Sequence, residues 1–260
     1  MFDFTIKHSF KIQYQINMAE KVIVTTQDNI ITETHTVKRD FWTTYSKPII
    51  YAGSALILLM GAYFGYQKLV KEPKEIKAAD AIFPAENLFD KMTQSGFNKD
   101  TVNLVLNGGA GSDGTQVTGL LKIISSHGST LNANRAEYMA GACYLHIKEF
   151  DKAVKHLSEF DANGASQVEI KKYMMLANAY AEQKKTDDAL KAFKKAASVN
   201  EKDEVFTAEA LVTGAAYAEV IGNQKEAVDM YQQAKDKYPN YPAVQNGDVD
   251  KNLAKLGVTK

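Results

Sequence analysis

The sequence predicts an all-α chain: one N-terminal transmembrane helix, then a solenoid of helical hairpins closed by a C-terminal capping helix. Three observations carry this. Ile49 to Tyr66 is an uncharged, mostly apolar run of 18 residues. Small and aromatic residues recur in three blocks across the C-terminal half. Short polar turns, Lys148-Glu149, Lys184-Lys185-Thr186 and Gly222-Asn223, divide each block in two.

The blocks are Gly141, Tyr144, Ala153, Leu157; then Ala177, Tyr180, Ala189, Phe193, Ala196; then Ala215, Gly222, Ala227, Tyr231, Ala234, Pro239. Small residues stand where two helices touch, and large ones fill the spaces between pairs. The period is 36 residues from Ala153 to Ala189 and 38 from Ala189 to Ala227. This resembles the tetratricopeptide repeat, whose period is about 34. Such units stack into binding surfaces and seldom carry catalysis.

At about 1.5 Å per residue, the run from Ile49 to Tyr66 nearly crosses a hydrocarbon core of about 30 Å, and its flanks complete the span. Trp42 and Tyr45 before it, with Tyr63 and Tyr66 at its end, occupy aromatic-belt positions. Lys47 and Lys68 bracket it and can snorkel. The run starts far from Met1. It ends in bulky Phe64, Tyr66 and Leu69, where a cleavage site needs small residues, so an uncleaved signal-anchor is expected. Lys38, Arg39 and Lys47 precede it and Lys68, Lys71, Lys74 and Lys77 follow it, so charge alone leaves the orientation open.

In chain order, residues 1–47 form an N-terminal tail, with 1–17 read as an upstream extension and Met18 as a more natural start. Residues 48–70 are the anchor. Residues 71–78 are a charged spacer in which Pro73 marks a helix end. Residues 79–132 supply a degenerate first helical layer: a helix from Ala78 to Gln94 with Ile82, Leu88, Phe89 and Met92 inward, a short helix at 100–106, a loop at 107–114, and a helix at 117–124 with Leu120, Leu121 and Ile124 inward. The repeats fill 133–260 as units 134–167, 170–203 and 208–241. The expected pairs are 133–147 with 150–161, 167–183 with 186–198, and 204–221 with 224–237. A helix near 247–256, with Leu253 and Leu256 inward, caps the end.

The 31 basic and 31 acidic residues cancel. They also nearly cancel on either side of residue 66, with 6 basic and 5 acidic before it and 25 and 26 after it, which argues against phosphate-backbone binding. Cys143 is the sole cysteine, so no internal disulfide forms, and its apolar helical setting reads as a buried thiol.

Gly109 to Gly114 matches G-x-G-x-x-G, yet no βαβ unit surrounds it, and a nucleotide site is not expected. The same stretch is half of one calcium nonapeptide, too little to build a site. His8, His35, His127, His146 and His156 form no metal-ligand spacing. His146 and His127 sit at helix ends, where positive charge suits the dipole. No nucleophile elbow, P-loop or CxxC occurs. No enzyme activity, cofactor or metal is expected.

Residues 86–260 resemble the membrane-anchored tetratricopeptide proteins of Bacteroidetes-type bacteria, which are similar to the ancillary subunit of the Sec translocon. The stretches that carry the likeness run from Asn103 to Gly108, Gly119 to Ile124 with Gly128, Tyr138 to Leu145, and Phe150 to Val154. The glycine-rich insertion at 108–114 is longer than is usual there. The resemblance implies a bacterial inner-membrane protein with a cytoplasmic N-terminus and periplasmic repeats. It further implies contact with Sec translocon subunits, periplasmic chaperones or exported clients.

By repeat position, the first helix of each pair should line a protein-binding groove. Those positions are Arg135, Tyr138, Ala142 and Leu145; Lys171, Met174, Asn178 and Ala181; and Glu209, Val212, Ala216 and Glu219. The two-carboxylate clamp of cytosolic chaperone-binding relatives wants a run of Lys, Asn and Arg, and only Lys171 and Asn178 fit. The expected groove is therefore adaptable and partly apolar. A structural linker in an envelope secretion or motility complex is the competing reading.

Overall fold

The computed structural model describes residues 41–112 and 114–258. The tail before residue 41, with its extension and the Met18 start, lies outside the described residues, as does Asp113. The chain divides into two units, Met1–Leu69 and Val70–Lys260.

In the first unit, α1 (Phe41–Tyr66) has no buried residue. It is long and apolar enough to cross a membrane, with a window of mean hydropathy 1.6. Its polar groups are satisfied locally: Ser54 Oγ donates to the Tyr51 carbonyl at 3.0 Å, and Gln67 Nε2 donates to the Tyr63 hydroxyl at 3.1 Å.

The expected spacer at 71–78 is helical instead. A π-helical turn, Gln67–Lys71, is followed directly by α2 (Glu72–Ser95). Pro73 has no N–H to give to the turn before it. The wider π turn stands at that point and lets the helix continue. Pro84 lies well inside α2.

Next come α3 (Lys99–Asn107), β1 (Gly108–Ala110), β2 (Gln116–Thr118) and α4 (Leu120–His127). The strands form an antiparallel ribbon pairing Gly108 with Thr118, Gly109 with Val117 and Ala110 with Gln116. The expected loop and the helix start at residue 117 are corrected by this ribbon. Gly119, which follows β2, is extended (φ −65°, ψ 146°) and helix begins only at Leu120. Gly108 has φ 82°, and a Cβ there would lie 2.6 Å from Gly119 N and 2.7 Å from the Val117 carbonyl oxygen. These glycines permit two backbones to touch. The antiparallel ribbon also differs from the parallel βαβ unit that a dinucleotide requires.

The repeat pairs are α5 (Leu131–His146) with α6 (Phe150–Glu159), α7 (Ser166–Glu182) with α8 (Thr186–Ser198), and α9 (Glu204–Val220) with α10 (Gln224–Lys237). The end is closed by two short helices rather than one, α11 (Pro242–Gln245) and α12 (Asp248–Lys255). Gly247 between them is left-handed, at φ 79°. Thr130, Asp203 and Asn223 cap α5, α9 and α10 with side-chain oxygens at 3.1, 3.1 and 3.3 Å from the Ala133, Phe206 and Glu226 amides. Each such cap is worth about 1 kcal/mol.

The signature residues do what their spacing implies. Ala153, Leu157, Ala177, Ala189, Ala196, Ala215, Ala227 and Ala234 are fully buried, and Phe193 and Tyr231 nearly so. A Cβ on Gly141 would approach Leu157 Cγ to 2.6 Å, so glycine lets α5 and α6 close. Cys143 is fully buried, and desolvation pushes its thiol pKa up to about 12, which makes it a packing residue.

All three first helices end in the same Schellman turn. The amides of Glu149, Lys185 and Asn223 reach the carbonyls of Tyr144, Tyr180 and Ala218 at 2.9, 2.9 and 2.8 Å. The left-handed residue is Lys148 (φ 65°), Lys184 (φ 59°) and Gly222 (φ 76°). Only the third is the residue that this geometry favours. Lys184→Gly should therefore stabilise the repeats by about 0.5–1 kcal/mol, since left-handed backbone costs an L-residue roughly that or more. Urea unfolding of the full chain in detergent checks this through a raised midpoint at constant slope.

Candidate functional site

The expected groove residues fall in four rows across α5, α7 and α9, and each row meets a different environment. The first row holds Arg135, Lys171 and Glu209. Arg135 is exposed but forms an ion pair with Glu86 of α2. The Lys171 ammonium lies 4.9 Å from the ring centre of Phe206, a cation–π contact. Glu209 is half-buried beside Tyr241, whose pKa is raised by burial first and then by this carboxylate.

The second row, Tyr138, Met174 and Val212, is half-buried and apolar. Tyr138 packs on Phe160 with ring centres 5.1 Å apart, and burial raises its pKa. Met174 packs on a small cluster of Ile170, Ala196 and Ala210. Val212 packs on the second core together with Tyr241.

The third and fourth rows are mostly small. Ala142 is buried and belongs to the first core, so it is not part of an open groove. Asn178 and Ala216 are exposed, and Ala181 is half-buried. Leu145 is half-buried against the first core. Glu219 is half-buried next to Tyr231, whose pKa is raised by burial first and then by Glu219, while Asn252 Nδ2 donates to the Tyr231 hydroxyl at 3.0 Å.

These positions thus combine half-buried apolar side chains, small residues, one exposed amide and four charged side chains that each meet a group of the chain itself. Of the two residues that fit the carboxylate clamp, Lys171 lies over the Phe206 ring and Asn178 is exposed, while Arg135 pairs with Glu86. The face can offer van der Waals contact and side-chain amide hydrogen bonds to a polypeptide. Sequence reasoning missed the residues that contact these positions from elsewhere: Glu86 from α2, and Tyr241 and Asn252 from the C-terminal end. They follow no repeat spacing, so periodicity gave no signal for them.

His146 stands in the last turn of α5, as its position predicts. It stacks on Phe97, ring centres 3.6 Å apart and nearly parallel, and desolvation holds its pKa below the ordinary histidine value. His156, which is buried, shares a 2.6 Å hydrogen bond with Glu137 and stacks on Tyr144, joining α6 to α5. Among the described residues no group of three or more His, Cys, Asp or Glu is arranged to hold a metal.

Residues 173–199 and 211–241 match the family model of the tetratricopeptide repeat. No curated protein matches the chain. The two matched stretches cover α7–α8 and α9–α10 apart from the first residues of α7 and α9. With paired helices, Schellman turns and buried small-residue contacts, they make this a tetratricopeptide-type repeat region, and such repeats indicate protein–protein interaction. The same chain carries a helix long and apolar enough to cross a membrane.

Proposed function

We propose that this chain is a non-catalytic scaffold of the bacterial inner membrane, anchored by α1, with its N-terminus in the cytoplasm and its repeats in the periplasm. In this reading it assists export or periplasmic folding near the Sec translocon. Its partners are translocon subunits, periplasmic chaperones or exported clients. The observation that supports it most is the joining, in one chain, of an exposed apolar helix to repeats whose inner face offers half-buried apolar side chains and no carboxylate clamp. Such side chains suit extended, partly apolar segments, as emerging polypeptides present. The sequence resemblance supplies the compartment and the translocon.

A photo-crosslinker in place of Asn178, in native membranes, tests the reading. Capture of translocon subunits or newly exported chains supports it. Capture of a stable envelope partner with neither of these overturns it in favour of a linker subunit. Orientation has its own readout: protease added to spheroplasts should digest residues 80–260, and protection of that region would reverse the topology.

A further inference from the structure

Beyond the inner face of the repeats, the second unit exposes large apolar side chains where α2 meets the start of α5. Ile76 and Phe83 on α2 are 56% and 62% exposed, and Leu131 at the start of α5 is 59% exposed. Several polar ties hold these helices together. The Leu131 amide donates to the Glu75 carboxylate at 2.9 and 3.1 Å, and Arg135 pairs with Glu86. Glu75 adjoins Ile76 in the chain, and Glu86 lies one turn beyond Phe83, so the ties set the exposed flank of α2 beside the α5 terminus.

The exposed charges that lie nearest these side chains on the helix face are acidic. At about 100° per residue, Asp80 lies about 40° from Ile76, and Asp90 about 20° from Phe83. Asp80 and Asp90 are exposed. Of the neighbouring cations, Lys77 and Lys74 point about 100° and 160° away from Ile76, Lys91 points about 80° from Phe83, and Arg135 is neutralised by Glu86. Ile76 and Phe83 are seven residues apart, the spacing at which one helix face meets another.

We infer that the flank formed by Ile76, Phe83 and Leu131 docks a cationic amphipathic segment of a partner protein, apolar residues against these three and Lys or Arg against Asp80 and Asp90. An anionic lipid surface is disfavoured by the same carboxylates. A second copy of the chain would set those carboxylates against each other. The surface is separate from the inner face of the repeats and does not rest on the export reading.

The test uses the full chain in nanodiscs of zwitterionic lipid, with empty discs as the blank. The probes are a fluorescent Leu/Lys amphipathic helical peptide and its Leu/Glu counterpart. The Leu/Lys peptide should bind about tenfold or more tightly, because charge complementarity selects between the two. Ile76→Ser with Phe83→Ser should lose the binding, and Asp80→Lys with Asp90→Lys should abolish the preference, with circular dichroism unchanged in both. Asn178→Ala should leave both affinities as they were, which separates this surface from the repeat groove. Equal binding of the two peptides, retention of binding in the serine variant, or an effect of that variant on self-association alone would overturn the inference.

Discussion

Phe193→Ala lowers the stability of the repeat domain by about 3–5 kcal/mol, the range for removing a buried aromatic ring from a packed core. Phe193 is 2% exposed and stands where α8 meets α9, with the Tyr217 ring centre 5.6 Å from its own. Its Cβ lies 2.9 Å from where a Cβ on Gly214 would be, so the helices close directly over it and cannot collapse further to fill the space. In a repeat array each unit is stabilised chiefly by its neighbours. The loss should therefore fall on the coupling between the second and third pairs. Urea unfolding of the full chain in detergent should show a lowered midpoint, or a split transition in which α9 to α12 melt first. A loss below about 1 kcal/mol would mean that this contact does not couple the units.

Gly119→Ala should be as damaging, for a different reason. Its backbone angles suit alanine, so the cost is steric alone. The added Cβ would collide with the Asn107 carbonyl carbon and lie 2.5 Å from both the Gly108 amide nitrogen and the Leu106 carbonyl oxygen. These are backbone atoms at the base of the β ribbon, and they cannot move without opening the Gly108–Thr118 pairing. A loss of about 3 kcal/mol or more is expected, at the upper end for overpacked sites. Hydrogen exchange locates it: amides of α3 and α4 should lose protection while those of α7 to α10 keep theirs. Uniform protection equal to wild type would show that the two backbones are farther apart than described.

The repeat pairs were legible in the sequence because their spacing is a packing requirement. Gly141, Ala153, Ala189 and Ala227 mark where helix axes approach, and Leu157, Phe193 and Tyr231 mark where space must be filled. That signal recurs, so a single chain displays it three times. The first layer was less legible. A ribbon of two three-residue strands buries only Val117 among its apolar side chains, too little for an alternating pattern to show. Pro73 looked like a stop because proline usually ends a helix, and the π turn that accommodates it has no sequence mark.

The candidate site was legible by position and not by environment. Repeat register named the rows. It could not foresee that Glu86 would take up Arg135, that Phe206 would lie under Lys171, or that Tyr241 and Tyr231 would sit against Glu209 and Glu219. Those partners include residues outside the repeats and residues at unrepeated positions. They give each charged position a neighbour within the chain. Ala142, named with the groove, is a core residue because α5 is wrapped by α2, α4 and α6 together.

The central claim is that the inner face of the first helices, held at a membrane, is the protein-binding surface. Paired photo-crosslinkers test it most directly, one replacing Asn178 on α7 and one replacing Lys191 on the exposed side of α8, each in the full chain in native membranes. The account predicts discrete protein adducts from position 178, weakened by Met174→Glu, and few from position 191. Adducts of equal yield from both positions, or from position 191 alone, would contradict it.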